Sequence, residues 1–438
     1  MMEVAEKEIE FNKYSEYKDS GVEWLGDIPE HWGILPGFAF ILERSEKNVG
    51  MKESRVLSLS YGNVIVKPEE KLTGLVPESF ETYQLVYPGD IIIRPTDLQN
   101  DKTSLRTGIA KDKGIITSAY MNLSVKEDNS NKYYHYLFHS IDTNKVLYGL
   151  GSGLRQNLSY EDFKRFQFPI PTPEEQTAIA NFLDEKTAKI DEAISIKQRQ
   201  IELLKERRQV LIHKAVTRGL NPEVPLKPSG VDWIGDIPEH WEVKRLKYIL
   251  NEINIRSKTG EEELLSLSKY YGVIPKSTLE ERAGMAESLV GYKIVKPGNI
   301  VINKMQAVNG LIGVSKLSGL TSPDYSIYTT KSDFNDEYYG VLLKQPKYLS
   351  EYSKVVTGVM EGFIRLYTDD LFSIYTHVPP LEEQVQIVNY LEKIHEKFDK
   401  VLNQIEMELD SLSEYKVTMI NNAVTGKIKV SLDAKCDR

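Results

Sequence analysis

At 438 residues the chain is too long for one ordinary domain and long enough for two to four compact units, each burying its own core. Hydrophobic content of 41% and charged content of 27% are those of a water-soluble globular protein, and a net charge of −9 excludes a uniformly basic nucleic-acid coat while leaving room for a local basic groove. The single cysteine, Cys436, excludes an intrachain disulfide and a Cys-rich zinc site; no apolar run nears the ~20 residues that span a bilayer, and the acidic start "MMEVAEKEIEFNKY" is unlike a signal peptide, so the expectation is a cytoplasmic protein with no membrane association.

In chain order, the first distinctive stretch is "GVEWLGDIPEHW" from Gly21 to Trp32, written again as "GVDWIGDIPEHW" from Gly230 to Trp241. After these tryptophans the copies part, "GILPGFAFIL" against "EVKRLKYIL", and no residue-by-residue pairing is read across that segment. Next come "YPGDIIIR" from Tyr87 and "VKPGNIVIN" from Val295, which read as buried strands opened by Pro-Gly turns. "PIPTPEEQTAIANFLDEK" from Pro169 answers "HVPPLEEQVQIVNYLEKI" from His377, and "IHKAVTRG" from Ile212 answers "INNAVTGK" from Ile420. The chain is therefore two copies of one unit, each with the Trp motif, a variable α+β globule and a long helix.

Proline followed by glutamates in "TPEEQ" and "PPLEEQ" marks a helix first turn, where a missing N–H costs nothing and negative charge suits the dipole. The second helix carries a seam at Ile387, Leu391, Ile394, Phe398, Val401, Ile405, Leu412, Tyr415 and Met419, with Glu408 as a polar interruption. The first carries Ala180, Leu183, Ile190, Ile194, Ile201, Leu204, Leu211 and Ala215, interrupted by Thr187, Lys197 and Arg208. Two such seams predict an antiparallel coiled coil. A helix from Glu174 to Ala215 spans ~60 Å, enough to hold two modules over separate half-sites of a duplex whose turn is ~34 Å; a dimerisation or stabilising element fits the periodicity equally.

Candidate chemistry is sparse. Asp27, Glu30 and His31, repeated as Asp236, Glu239 and His240, read better as a capped turn and anchoring joint than as a metal trio, because three ligands within five residues rarely converge on one ion. His135 and His139 have zinc-protease spacing, but Tyr136 stands where the glutamate belongs. "GLGSGLRQN" from Gly149 lacks a dinucleotide or phosphate-loop fingerprint, and Glu69 with Lys71 lacks the acidic context of a nuclease. There is no Asn/Asp-Pro-Pro-aromatic methylation motif, zinc deaminase signature or Ser nucleophile elbow, so catalysis is not expected of this chain.

Nucleic-acid chemistry is better represented. Lys197 to Arg218 holds seven Lys/Arg against two acids, and "RPTDLQNDKTSLRTG" from Arg94 offers residue types that pair with base edges and phosphates. The stretch that follows the equivalent strand, "NKMQAVNGLIG" from Asn303, differs in sequence, so two reading loops there would read different sequences.

Taken together, the two divergent globules, the repeated "GDIPEHW", the "EEQ" helix starts and the "AVT-x-G" exits resemble the specificity subunit of Type I restriction-modification enzymes, over about Tyr17 to Val430. The resemblance implies an α+β fold with an internal pseudo-twofold repeat: two α+β target-recognition domains (1–173 and 221–381) separated by two long antiparallel coiled-coil helices (174–220 and 382–426), then a tail (427–438). It implies a non-catalytic reader of double-stranded DNA that recognises a split asymmetric target, docks two methyltransferase subunits and is joined by motor-nuclease restriction subunits. Cofactors are expected on those partners, S-adenosylmethionine, ATP and Mg, and none on this chain. Carried over, the DNA-contact candidates are Arg94, Thr96, Gln99, Asn100, Lys102 and Arg106 in the first domain and Lys304, Gln306 and Asn309 in the second. Arg155, Gln156, Glu361 and Arg365 join them from the glycine-bearing loops. The alternative is a duplicated coiled-coil scaffold whose variable domains bind proteins.

Overall fold

The computed structural model describes residues 12–68, 79–96, 98, 105–149, 157–269, 271–279, 288–358 and 364–431. Contacts divide the chain into two compact units that do not follow chain order: 1–198 with 406–438, and 199–405. Each unit therefore holds one globule, the start of the long helix that follows it and the end of the other long helix. No helix among the described residues is long and apolar enough to cross a membrane.

The first globule is built on a four-stranded antiparallel sheet in the order Ile41–Glu43, Met121–Val125, Ile91–Ile93, Thr107–Ile109. The second repeats it with Leu250–Ile253, Tyr325–Thr330, Ile300–Asn303 and Ile312–Val314. Each predicted strand opens on a Pro-Gly turn closed by a backbone bond, Asp90 N to Tyr87 O at 3.0 Å and Asn299 N to Lys296 O at 3.0 Å. The same side chains then accept from the turn's first amide, Tyr87 N and Lys296 N, at 2.9 and 2.8 Å.

These strands are apolar without alternation because both faces are covered. Ile91 and Ile93 face the main core, while Ile92 packs with Leu57 and Val64 of a hairpin, Leu57–Ser60 paired with Asn63–Val66. Ile300 and Ile302 against Val301 make the same division over the hairpin Leu265–Ser268 with Gly272–Pro275. The segments after Trp32 and Trp241, unpaired at the level of sequence, are equivalent strands: Gly33–Pro36 pairs with Gln167–Ile170, and Glu242–Arg245 with Tyr375–Val378. Backbone hydrogen bonds set that equivalence, and they tolerate any side chain.

The long helices run Pro173–Arg218 and Leu381–Val424. Within each unit they are antiparallel: Lys416 bonds Asp191 at 2.6 Å and Lys197 bonds Glu408 at 2.6 Å in the first, and Arg208 bonds Asp399 at 2.7 Å in the second. The predicted polar interruptions Lys197, Glu408 and Arg208 thus carry interhelical ion pairs, and with Arg199 on Glu202 at 2.7 Å three of the seven cations counted between Lys197 and Arg218 are engaged by carboxylates. The seam needs two corrections. Val401 and Tyr415 are exposed at 38% and 36%, whereas Leu402 is buried at 6%. From Phe398 the buried face advances four residues to Leu402, the step by which a helix of 3.6 residues per turn corrects its drift against a strict heptad.

Candidate nucleic-acid interface

Each globule is held by a joint built from the repeated motifs. Trp32 is fully buried, and its indole Nε1 donates to Glu175 at 3.3 Å, while His31 Nε2 lies 2.9 and 3.0 Å from the two Glu175 oxygens. In the second unit His240 and Trp241 hold Glu383 at 2.7 and 2.9 Å. Burial raises the Glu175 pKa, but the hydrogen bonds from His31, Thr172 N and Trp32 together outweigh it and leave the carboxyl below its ordinary range. Asp27 and Glu30 point to solvent, and among the described residues no group of His, Cys, Asp and Glu could hold a metal ion.

The glutamine of "EEQ" ties the helix start to the globule. Gln176 bonds Pro171 O at 3.1 Å and accepts from Ser130 N at 2.9 Å, at the cap of the helix Asn131–Thr143; Gln384 makes the same two bonds to Pro379 O and from Asn335 N at 2.8 and 2.9 Å. "AVT-x-G" arrives from the other long helix: Tyr133 donates to Val424 O at 3.0 Å, and Tyr338 to Val216 O at 2.8 Å. Gly426 and Gly219 follow with φ of +75° and +74°. A Cβ on Gly426 would run into the Pro29 ring and lie 3.1 Å from Trp32, so close approach and backbone conformation both require glycine there; at Gly219 the positive φ is the requirement, since a Cβ would meet only the tip of the Glu383 side chain, at 2.6 Å. Tyr133 and Tyr338, buried in "NKYYHYL" and "DEYYGVL", escaped the sequence reading; the doubled tyrosines were the signal.

On this frame the structure assembles part of the predicted reading surface. Arg94 is exposed at the end of its strand, with Thr96 half-buried beside it. Leu158, at the exit of the glycine-bearing loop, bonds Pro95 O at 2.9 Å, and Leu366, next to Arg365, bonds Lys304 O at 3.0 Å. In both units the two segments chosen from sequence therefore meet at the end of the same strand. Gln306 and Asn309 are exposed on a short turn, bonded to each other at 2.7 Å. Burial lowers the pKa of the neighbouring Lys293, and the positive charge of Lys304 lowers it further.

Arg106 is a correction. The sequence places it among the DNA contacts, but it is 1% exposed: its guanidinium donates to the carbonyl of Thr96, and its amide donates to Asp142 at 2.8 Å. It braces the base of the loop against the helix end. Burial depresses the half-buried His135 and His139 to pKa values of about 3 and about 4. Gln99, Asn100, Lys102, Arg155, Gln156 and Glu361, like Glu69, Lys71 and Cys436, lie outside the described residues.

A duplicated frame that repeats its joints and varies the loops it displays defines a two-module recognition protein. The family model for the type I restriction modification DNA specificity domain matches residues 60–206 and 238–411, and the chain belongs to that family: it is a type I specificity subunit with DNA-recognition domains, a non-catalytic part of a multi-subunit restriction-modification complex. It is similar to the type I restriction enzyme MjaVIII specificity subunit of Methanocaldococcus jannaschii, 26% identical and covering 73% of this chain and 75% of that one. The EcoBI specificity subunit of Escherichia coli is 22% identical over 96% of this chain and 91% of its own. A chain solved in a study of complex assembly and conformational transition of the type I R-M system shares the fold, with a TM-score of 0.67 at 14% identity, covering 91% of this chain and 98% of that one.

Proposed function

We propose that the chain reads a split, asymmetric double-stranded DNA target, one half per globule, and directs two methyltransferase subunits and the motor-nuclease restriction subunits to it. S-adenosylmethionine, ATP and Mg then belong to those partners. The observation that carries this reading is the contrast between joints whose Trp–Glu, Tyr–carbonyl and Gln–cap contacts repeat in both units and loops that leave the same strand end with different residues and lengths. A device recognising one motif twice would keep the loops alike.

Arg94, Thr96, Lys304, Gln306, Asn309 and Arg365 stand as reading or phosphate-positioning residues, with Gln99, Asn100, Lys102, Arg155, Gln156 and Glu361 as further candidates on the same loops. The test is selection of a randomised duplex pool by the subunit assembled with its methyltransferase, at salt high enough to suppress phosphate-only binding. Two separated blocks of preferred bases are expected. Arg94→Ala should degrade one block and Lys304→Ala the other, each weakening binding by about tenfold, as loss of one good base contact does. A pool left unenriched would return the chain to the protein-binding scaffold reading.

A further inference from the structure

Among the described residues the two most exposed large apolar side chains are Tyr61 at 81% and Tyr271 at 78%. They occupy the same place in the two units. Each stands at the tip of a hairpin, after "LSLS" at Leu57 and Leu265 and before a glycine, Gly62 or Gly272. A lone exposed aromatic needs no explanation. The same one kept at equivalent tips does, because solvent exposure by itself favours a polar turn residue.

Local conformation sharpens the point. Ser60 pairs with Asn63, leaving the two-residue loop Tyr61–Gly62, and φ is positive at both residues, +45° and +75°. That turn favours Asn-Gly, and a bulky residue at its first position is strained. The second hairpin pairs Ser268 with Gly272 and so carries a longer loop. Turn geometry differs, yet the tip aromatic is retained.

Both tips lie beside the predicted reading loops. A Cβ on Gly62 would be 3.7 Å from the carbonyl of Thr107 and 3.9 Å from Leu105, where the loop begun by Arg94 rejoins the sheet. In the second unit Gly313, just past the end of the loop begun by Asn303, would place a Cβ 3.3 Å from Gly272. Cations are at hand: Lys111 lines the same groove as Tyr61, its neighbour Asp112 being paired with Arg55 at 3.7 Å, and Lys269 is exposed on the second tip.

We propose that Tyr61 and Tyr271 are DNA-contacting residues, one per half-site, each laying its ring against the nucleotide beside the bases its globule reads. The proposal rests on the DNA-reading function above. DNA is favoured over a partner protein because the joints show what this chain does with surfaces used identically twice, which is to repeat them, whereas these tips differ in length and keep only the aromatic. A ring suits that variation, since from a tip of either length it can pack on apolar groups at the groove edge, a thymine methyl or a sugar, while the bases stay paired.

The experiment uses the full chain assembled with its methyltransferase and the randomised duplex pool, comparing wild type with Tyr61→Ala, Tyr61→Phe, Tyr61→Gly and Tyr271→Ala. Tyr61→Ala and Tyr61→Gly should weaken binding to the selected duplex by about tenfold, the loss of one packed aromatic contact, and blur one block of bases, and Tyr271→Ala should blur the other. Tyr61→Phe should stay close to wild type, because the ring is retained. Tyr61→Gly should melt no lower than wild type, since glycine relieves the positive φ, which separates loss of contact from loss of fold. Wild-type affinity in Tyr61→Ala, loss spread evenly over both blocks, or a weakened methyltransferase assembly in sedimentation would overturn the proposal. A wild-type protein that selects no sequence would instead reject the DNA-reading function on which it rests.

Discussion

The two units differ most where they are topologically the same. Arg94 N bonds Arg106 O at 2.9 Å across twelve residues, and Asn303 N bonds Leu311 O at 3.1 Å across eight. One hydrogen bond closes loops of different length, and the longer one holds a buried arginine where the shorter has a leucine. By contrast, the Trp-Glu, Tyr-carbonyl and Gln-cap contacts of the joints recur without change of partner. Packed joints admit few solutions, while loop closure costs little more as a loop lengthens. Diversity therefore collects in the loops.

The comparison can be broken first at the joints. Trp32→Ala and Trp241→Ala should each cost about 3–5 kcal/mol, the usual loss for emptying a large buried aromatic site, and each should expose the amides of its own unit in hydrogen exchange. If the two joints are equivalent, the costs match; a large disparity would show that the repeated bonds hide different energetics.

Arg106→Ala should cost somewhat less, about 3 kcal/mol, because it leaves the buried Asp142 carboxylate without the guanidinium Nε that stands 3.9 Å from it. Only the first unit should lose stability, and Leu311→Ala in the second should follow the smaller cost of a partly buried aliphatic group. Chemical denaturation of both variants checks this. Equal losses would erase the distinction between a braced and an unbraced loop.

Acid provides the mildest test. Burial lowers His377 to about 4, with its Nε2 donating to Val216 O at 2.7 Å, while the same position in the first unit is Pro169. The unfolded chain takes up protons first, near the ordinary histidine value, so this contribution is complete above that value and is lost as pH falls towards 4. At pH 5 it should cost about 2 kcal/mol. His377→Gln should flatten that part of the melting-temperature profile of the second unit and leave the first, whose His135 and His139 respond in the same direction, unaltered.

Much of this was legible in the residues. The duplication, the Pro-Gly turns, the helix starts at the "EEQ" motifs and the polar seam positions all follow from spacing and local chemistry, because hydrophobic period and turn preference act over a few residues. What the tertiary structure alone decided is where equal residue types go. Arg94 and Arg106 are both arginines of one loop, yet one faces solvent and the other is buried; Leu402 took the seam position that the heptad assigned to Val401; and Glu175 emerged as the acceptor for His31 and Trp32, 144 and 143 positions away. Burial, drift along a long helix and contacts across such separations depend on the whole packed arrangement, and no local pattern encodes them.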